Sequence, residues 1–172
     1  SNKNGDSTVS SCNFSFGNFV ESVFKSTNFS GCSFRQMQFE HVQFLLCNMK
    51  YCSIEQSTIK SSEFVGLDLR KVGVRYCTFE NVLFQNVTFH ILDLARNFGL
   101  IQELKKSSDT VQIAYKNEET MSLSEAICYL KDLMPYYYET GQYYELINVL
   151  AAYSNYDEIL SILPLAFKNV IL

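Results

Sequence analysis

Apolar residues recur at every fifth position through the first half of the chain. The series runs Phe14, Phe19, Phe24, Phe29, Phe34, Phe39, Phe44, Met49, Ile54, Ile59, Phe64, Leu69, Val74, Phe79, Phe84, Phe89 and Leu94, without a polar interruption. Eleven of the 14 Phe fall on it, so the register is structural rather than a by-product of composition. Two residues before each member stands a second column, which includes Cys12, Gly17, Ser22, Thr27, Cys32, Cys47, Cys52, Ser57, Ser62 and Cys77; none of its residues is charged and most are small. The position between the columns is mostly polar, with Asn13, Asn18, Asn28, Asn48, Asp68 and Asp93 as the recurring type. A period of five fits neither a 3.6-residue helix nor a two-residue strand. A short repeat is therefore the first thing this chain has to explain.

The order small, Asn/Asp-like, Phe/Leu and then two polar residues resembles the pentapeptide-repeat family, a family commonest in bacteria, over residues 12–96. The resemblance implies a β-solenoid, a right-handed quadrilateral β-helix of about four coils, in which each pentad forms one side of a square and four pentads complete a coil. The central residue and the residue two before it then point inward and the other three face solvent. Stacked at a strand spacing of roughly 4.8 Å, the coils make a tube about 20 Å long.

A twenty-residue coil makes outward positions twenty apart into stacked neighbours. Arg35, Glu55 and Arg75 lie at that spacing and alternate in sign, as do Glu40, Lys60 and Glu80 on the next side. Opposite charges directly opposed contribute about 0.2–1 kcal/mol and like charges cost a similar amount. Both files therefore agree with four pentads per coil.

The other two sides supply the candidate contact residues. On the third, Val23, Leu45, Leu46, Val65 and Leu83 stand at outward positions that a solvated face would fill with polar residues. Such a patch needs a cover, either the C-terminal helices of the chain or a protein partner. On the fourth, Lys50, Arg70 and Lys71 lie near Tyr51 and His90, a basic strip that reads as a solvated face or as a contact for an anion.

Five of the six Cys occupy the small inward column, and Cys12, Cys32 and Cys52 repeat at twenty residues. They read as small core hydrophobes, reduced in a reducing compartment, although stacked thiols would come within bridging distance under oxidation. Their spacings match no zinc pattern. Both His, His41 and His90, fall at outward positions with no metal-ligand partner nearby in sequence. No nucleophile elbow, phosphate loop or zinc-protease motif is present, so the sequence points to no enzyme, no catalytic or metal residues and no cofactor.

The register fails after Leu94, and a solenoid end needs a cap. Arg96 to Lys106 suits a short helix with Phe98, Leu100, Ile101 and Leu104 on its apolar face. Val111, Ile113 and Tyr115 alternate as in a short strand, and an acidic loop follows Lys116-Asn117. Ser122 with Glu125 forms a capping box. Leu123, Ile127, Leu130, Leu133 and Met134 mark an amphipathic helix to about Glu139, with a bend at Pro135 and a stop at Gly141. Helices over Gln142–Tyr153 and Tyr156–Ile171 complete a mostly α-helical region, residues 97–172, loosely similar to tetratricopeptide-type hairpins. Nine of the 11 Tyr lie between Tyr115 and Tyr156, too many for one buried stripe. Residues 1–11 read as a flexible N-terminus, with Ser1-Asn2 consistent with a tag remnant. The apolar end at Val170-Ile171-Leu172 is consistent with a piece of something longer.

Composition narrows the function classes. An apolar content of 47% fills a core, while no run of 18 apolar residues and no apolar segment in the first eleven suggests a membrane span or a signal peptide. The expectation is a cytoplasmic protein without a membrane partner. Residues 12–96 hold eight Lys/Arg and seven Asp/Glu, whereas residues 97–172 hold five and ten. Direct nucleic-acid binding is not expected at this balance. The pentapeptide-repeat resemblance brings a second reading, a DNA-mimicking modulator of DNA gyrase, which would call for strongly negative coils. The reading that fits the residues is a non-catalytic protein–protein interaction scaffold whose partner is another protein, with a homodimer open. A targeting or regulatory part of a larger protein is the remaining alternative.

Overall fold

The computed structural model describes residues 7–116, 119–153 and 161. Strands of two to four residues follow one another in the first half: β1 (Asn13–Ser15), β2 (Asn18–Val20), β3 (Val23–Lys25), β4 (Ser33–Arg35), β5 (Gln38–Glu40), β6 (Gln43–Leu45), β7 (Ser53–Glu55), β8 (Thr58–Lys60), β9 (Glu63–Val65), β10 (Asp68–Leu69), β11 (Gly73–Arg75), β12 (Thr78–Glu80), β13 (Leu83–Gln85) and β14 (Val87–His90). They sort into four parallel sheets, one per side of a tube. Side one is β1-β4-β7-β11, side two β2-β5-β8-β12 and side three β3-β6-β9-β13. On side four the bridges Thr8–Asn28 and Asn28–Asn48 lead to β10 and β14. The chain is a β-solenoid followed by a helical C-terminal part.

The pairing register is twenty residues throughout. Arg35 stands opposite Glu55 and Glu55 opposite Arg75, while Glu40, Lys60 and Glu80 form the second file. Lys60 reaches Glu80 at 3.8 Å, whereas Arg35 donates to Gln56 rather than to Glu55. Within the described residues the coil starts earlier than residue 12: the Val9 N–H donates to the Asn28 carbonyl and the Ser11 N–H to that of Ser30.

Every central residue from Phe29 to Leu94 is buried. Phe24, Phe44, Phe64 and Phe84 form a continuous ring file up side three at spacings of 5.2–5.4 Å. Phe14, Phe19 and Phe24 in the first coil are only partly buried, because no described coil lies beneath them. Most corners are made by the residue two after a central one, held at positive φ; thirteen such corners are not glycine, and Lys71, two after Leu69, is an exception. A left-handed non-glycine residue costs about 1 kcal/mol, and it persists here because the ladder on either side fixes the backbone.

The inner column has a second task beyond being small. The Ser57 hydroxyl accepts from the Met37 N–H and donates to the Glu55 carbonyl, and Ser62 does the same for Val42 and Lys60. The thiols of Cys52 and Cys77 donate to the carbonyls of Phe29 and Ile54, 23 residues back. These side chains satisfy corner groups that the ladders leave over. The cysteines are free thiols, and Cys12, expected inside, is exposed at the first coil.

Above β14 the repeat is replaced by a helical turn, α1 (Ile91–Ala95), capped by His90, whose Nδ1 accepts from the Leu92 N–H. Leu94 keeps its inward place. The other two expectations invert, because a helix turns about 100° per residue where a strand alternates: Leu92, placed inside by the pentad register, is 43% exposed, and Asp93, placed outside, is 4% exposed. The chain then rejoins the coil, as the Phe98 N–H donates to the Cys77 carbonyl and Phe98 bridges Thr78. At the next inner position Asn97 accepts from the Cys77 N–H and donates to the Val74 and Asp93 carbonyls.

Gly99, at φ 79°, turns the chain into α2 (Leu100–Lys105). Leu100, Ile101 and Leu104 close the tube, while Phe98, expected on that apolar face, is 54% exposed. The Glu103 carboxylate accepts from the Asn81 and Val82 N–H groups, where a further coil would have offered a carbonyl, and binds Lys106 at 2.6 Å. A short 3-10 turn (Ser108–Thr110) leads to β15 (Val111–Lys116), which pairs in parallel with β14. The region expected as an acidic loop holds β16 (Glu119–Ser122), antiparallel to β15. Three of its four residues are polar and exposed and only Met121 turns to the core, so this edge strand has no hydrophobic alternation to betray it.

Ser122 caps α3 (Leu123–Asp132) by accepting from the Glu125 N–H. Pro135 opens α4 (Met134–Glu139), so the expected bend is a full break. Gly141 at φ 73° ends it, and α5 (Tyr143–Ala151) returns to pack on α1, where Asn148 donates to the Ala95 carbonyl. The helix expected over 156–171 lies outside the described residues.

Candidate interaction surface

The apolar residues of side three do not form one patch. Val23 and Leu83 occupy the two ends of a file whose middle is Gln43 and Glu63. Leu45 and Val65 stack directly, flanked by Lys25 and Gln85, and both are half-buried. Leu46 turns the adjacent corner and is 61% exposed. Its Cδ2 lies 2.4 Å from where a Cβ on Gly66 would stand, so the glycine above lets the leucine lie flat over the corner.

The C-terminal helices do not run along this side among the described contacts. They stack on the tube end instead, α1 against β11, β14 and β15, and α2 against β12 and β13. α3 packs on β15 and β16, and α4 and α5 pack on each other, with α5 also against α1.

The basic strip of side four is partly neutralised from within. Asp68 sits between its members, accepting from Arg70 Nε at 2.9 Å and Nη2 at 2.7 Å. The Arg70 hydrogen bonds hold the Asp68 carboxyl below the usual carboxylate range. Lys50 lies over the Tyr51 ring at 5.2 Å, and a shallow cavity of about 240 Å³ separates Lys50 from Arg70 and Lys71. His90 is engaged as the α1 cap, and burial, then Arg96, pushes its pKa down.

A second exposed surface, which sequence reasoning did not assemble, spans the joint between tube and helices. Tyr76 at a solenoid corner meets Tyr144 of α5 edge to face at 5.6 Å. Tyr76, Phe98 and Ile147 are 52%, 54% and 53% exposed and Tyr144 is 37% exposed. Burial raises the Tyr144 phenol pKa. The tyrosine excess after residue 115 signalled exposed aromatics, but only the coil register puts Phe98 above Thr78 and beside them.

Among the described residues no group of three or more His, Cys, Asp or Glu is placed to hold a metal, and no helix is long and apolar enough to cross a membrane. The buried thiols are far from nucleophilic: burial pushes Cys52 up to about 11 and Cys77 to about 12. A thiolate is the reactive form, so these cysteines are structural.

Comparison with known proteins adds one family. No curated protein matches the chain, and the helical C-terminal region matches no family. Residues 10–44 match the family of pentapeptide repeats, in eight copies, and the β-solenoid that they begin continues with the same twenty-residue pairing to β14.

Proposed function

We propose that the protein is a non-catalytic interaction scaffold that presents a rigid surface to another protein. The observation that carries this is the exposed Tyr76–Tyr144 ring pair, with Tyr144 against the Phe98 backbone and the exposed Phe98 and Ile147 side chains on the same two elements where tube and helices meet. Tyrosine and other aromatic anchors dominate protein contacts, because they offer large area at small rotamer cost. The frame beneath is fixed by four ladders, so little ordering has to be repeated on binding. Leu45, Leu46 and Val65 form a smaller apolar strip on side three. Val23 and Leu83 stand too far along their file to join it, and Lys50, Arg70 and Lys71 share their side with the Asp68 carboxylate.

The charge files argue against imitation of a nucleic acid. Their signs alternate along sides one and two, whereas a duplex presents phosphates of one sign.

Cross-linking pull-downs compare the wild type with Phe98→Ser/Tyr144→Ser and with Leu45→Glu/Leu46→Glu, each checked for unchanged melting. Loss of the same partner band in the Phe98/Tyr144 variant alone supports the joint surface. Retention of every band in both folded variants contradicts the reading.

A further inference from the structure

Asp93 is the one charged side chain that the repeat places outward and the structure buries. It is 4% exposed, on the short helix α1 wedged between the last coil and α5. Its carboxylate meets the backbone of Val74, and its Oδ2 has no hydrogen-bond partner among the described residues. An unpaired buried oxygen of this kind costs far more charged than neutral.

Two further contacts make α1 the joint of the molecule. Asn97 ties the Asp93 carbonyl to that of Val74 in the coil below, through one amide group. Asn148 ties the Ala95 carbonyl to α5. Whatever displaces the Asp93 side chain therefore loads both the coil bond and the helix bond.

We propose that Asp93 is a proton-operated latch: with its carboxyl neutral, α1 and α5 stay seated on the end of the solenoid, and its ionisation loosens them from it. Arg96 at the end of α1 and Arg75 on β11 are the cations that face it, Arg96 the stronger, and the Cys77 thiol lies in its field. The other titratable or charged groups on the elements packed against α1 are His90 in β14, Tyr115 and Lys116 in β15, Glu103 and Lys105 in α2, and Tyr143, Tyr144 and Glu145 in α5. The two arginines favour the ionised form, but burial outweighs them and raises the Asp93 pKa from 3.8 to about 7. The sign follows from that order. An acid whose pKa is higher folded than unfolded stabilises the fold fully below the unfolded value, near 4, and loses that contribution as pH rises to about 7. The latch is therefore closed in mild acid and released on the alkaline side of neutrality.

The test is amide hydrogen exchange on the full chain at pH 5.5 and 8.5, with rates corrected for intrinsic chemistry, in the wild type and in Asp93→Asn. The expected result is at least about a tenfold loss of protection in α1 and α5 at the higher pH, since each pKa unit is a factor of ten. Amides of β5 and β8 stay unchanged, and Asp93→Asn protects α5 equally at both pH values. Equal wild-type protection at both pH values overturns the proposal, as does an Asp93→Asn protein that still loses it. Should Asp93→Asn not fold, carbon-13 titration of the wild-type carboxyl decides. A midpoint near 7 that coincides with shifts in α5 supports the latch, and a midpoint below about 5 contradicts it.

Discussion

Gly66 and Gly99 look alike as residues, both left-handed and both closely approached, yet they do different work. A Cβ on Gly66 meets the end of the Leu46 side chain, which can swing away, whereas a Cβ on Gly99 meets the Phe79 carbonyl oxygen at 2.4 Å. That carbonyl sits in a ladder and cannot yield. Gly66→Ala is expected to cost about 1–2 kcal/mol, mostly from its φ, and Gly99→Ala more than about 3 kcal/mol. Urea denaturation of both variants checks the order, which equal losses would contradict. The thiols divide in the same residue-by-residue way. Cys12 and Cys128 are exposed and the other four buried, so a thiol reagent at neutral pH is expected to modify two groups in the native protein and six after unfolding. Rapid native labelling of Cys52 or Cys77 would show that the inner column is open.

At the scale of elements, stability comes from files rather than from single strands, which at two to four residues have no independent existence. Phe64 is the middle of the ring file on side three, stacked on Phe44 at 5.2 Å and on Phe84 at 5.3 Å. Phe64→Ala is expected to cost about 3–5 kcal/mol, since flanking rings held by ladders cannot collapse into the space. Calorimetry that shows a loss below about 1 kcal/mol would mean that the core relaxes, contrary to a rigid tube. The elements also mark where the sequence stopped being legible. The pentad register carried every central residue, but it continued silently through α1, where Leu94 fits either geometry while Leu92 and Asp93 exchange faces. β16 was missed for the opposite reason, having no apolar alternation, and the hydrogen-bonding role of the inner column was hidden because Ser, Cys and Asn there also satisfy a rule of smallness.

Taken as a whole molecule, the chain is a tube whose far end is finished by side chains standing in for a missing coil. Asn97 replaces an inner-column residue and Glu103 replaces a carbonyl. The described helices pack on that cap and on one another rather than along side three, and α5 thereby brings Tyr144 to Tyr76 at the joint. None of this could be read from spacing alone, since it depends on where the chain leaves the coil at Gly99. All surface assignments rest on the twenty-residue register, and cross-linking measures it directly. In a background with Cys12→Ser and Cys128→Ser, the pair Gln38→Cys/Thr58→Cys occupies directly opposed positions on β5 and β8, at a parallel-strand separation that a disulfide spans. The pair Gln38→Cys/Glu63→Cys is displaced onto the next side. Mild oxidation of the native protein is expected to bridge the first pair nearly completely and the second not at all, as read by mass spectrometry; bridging of the second pair, or of neither, would contradict the stacked coils.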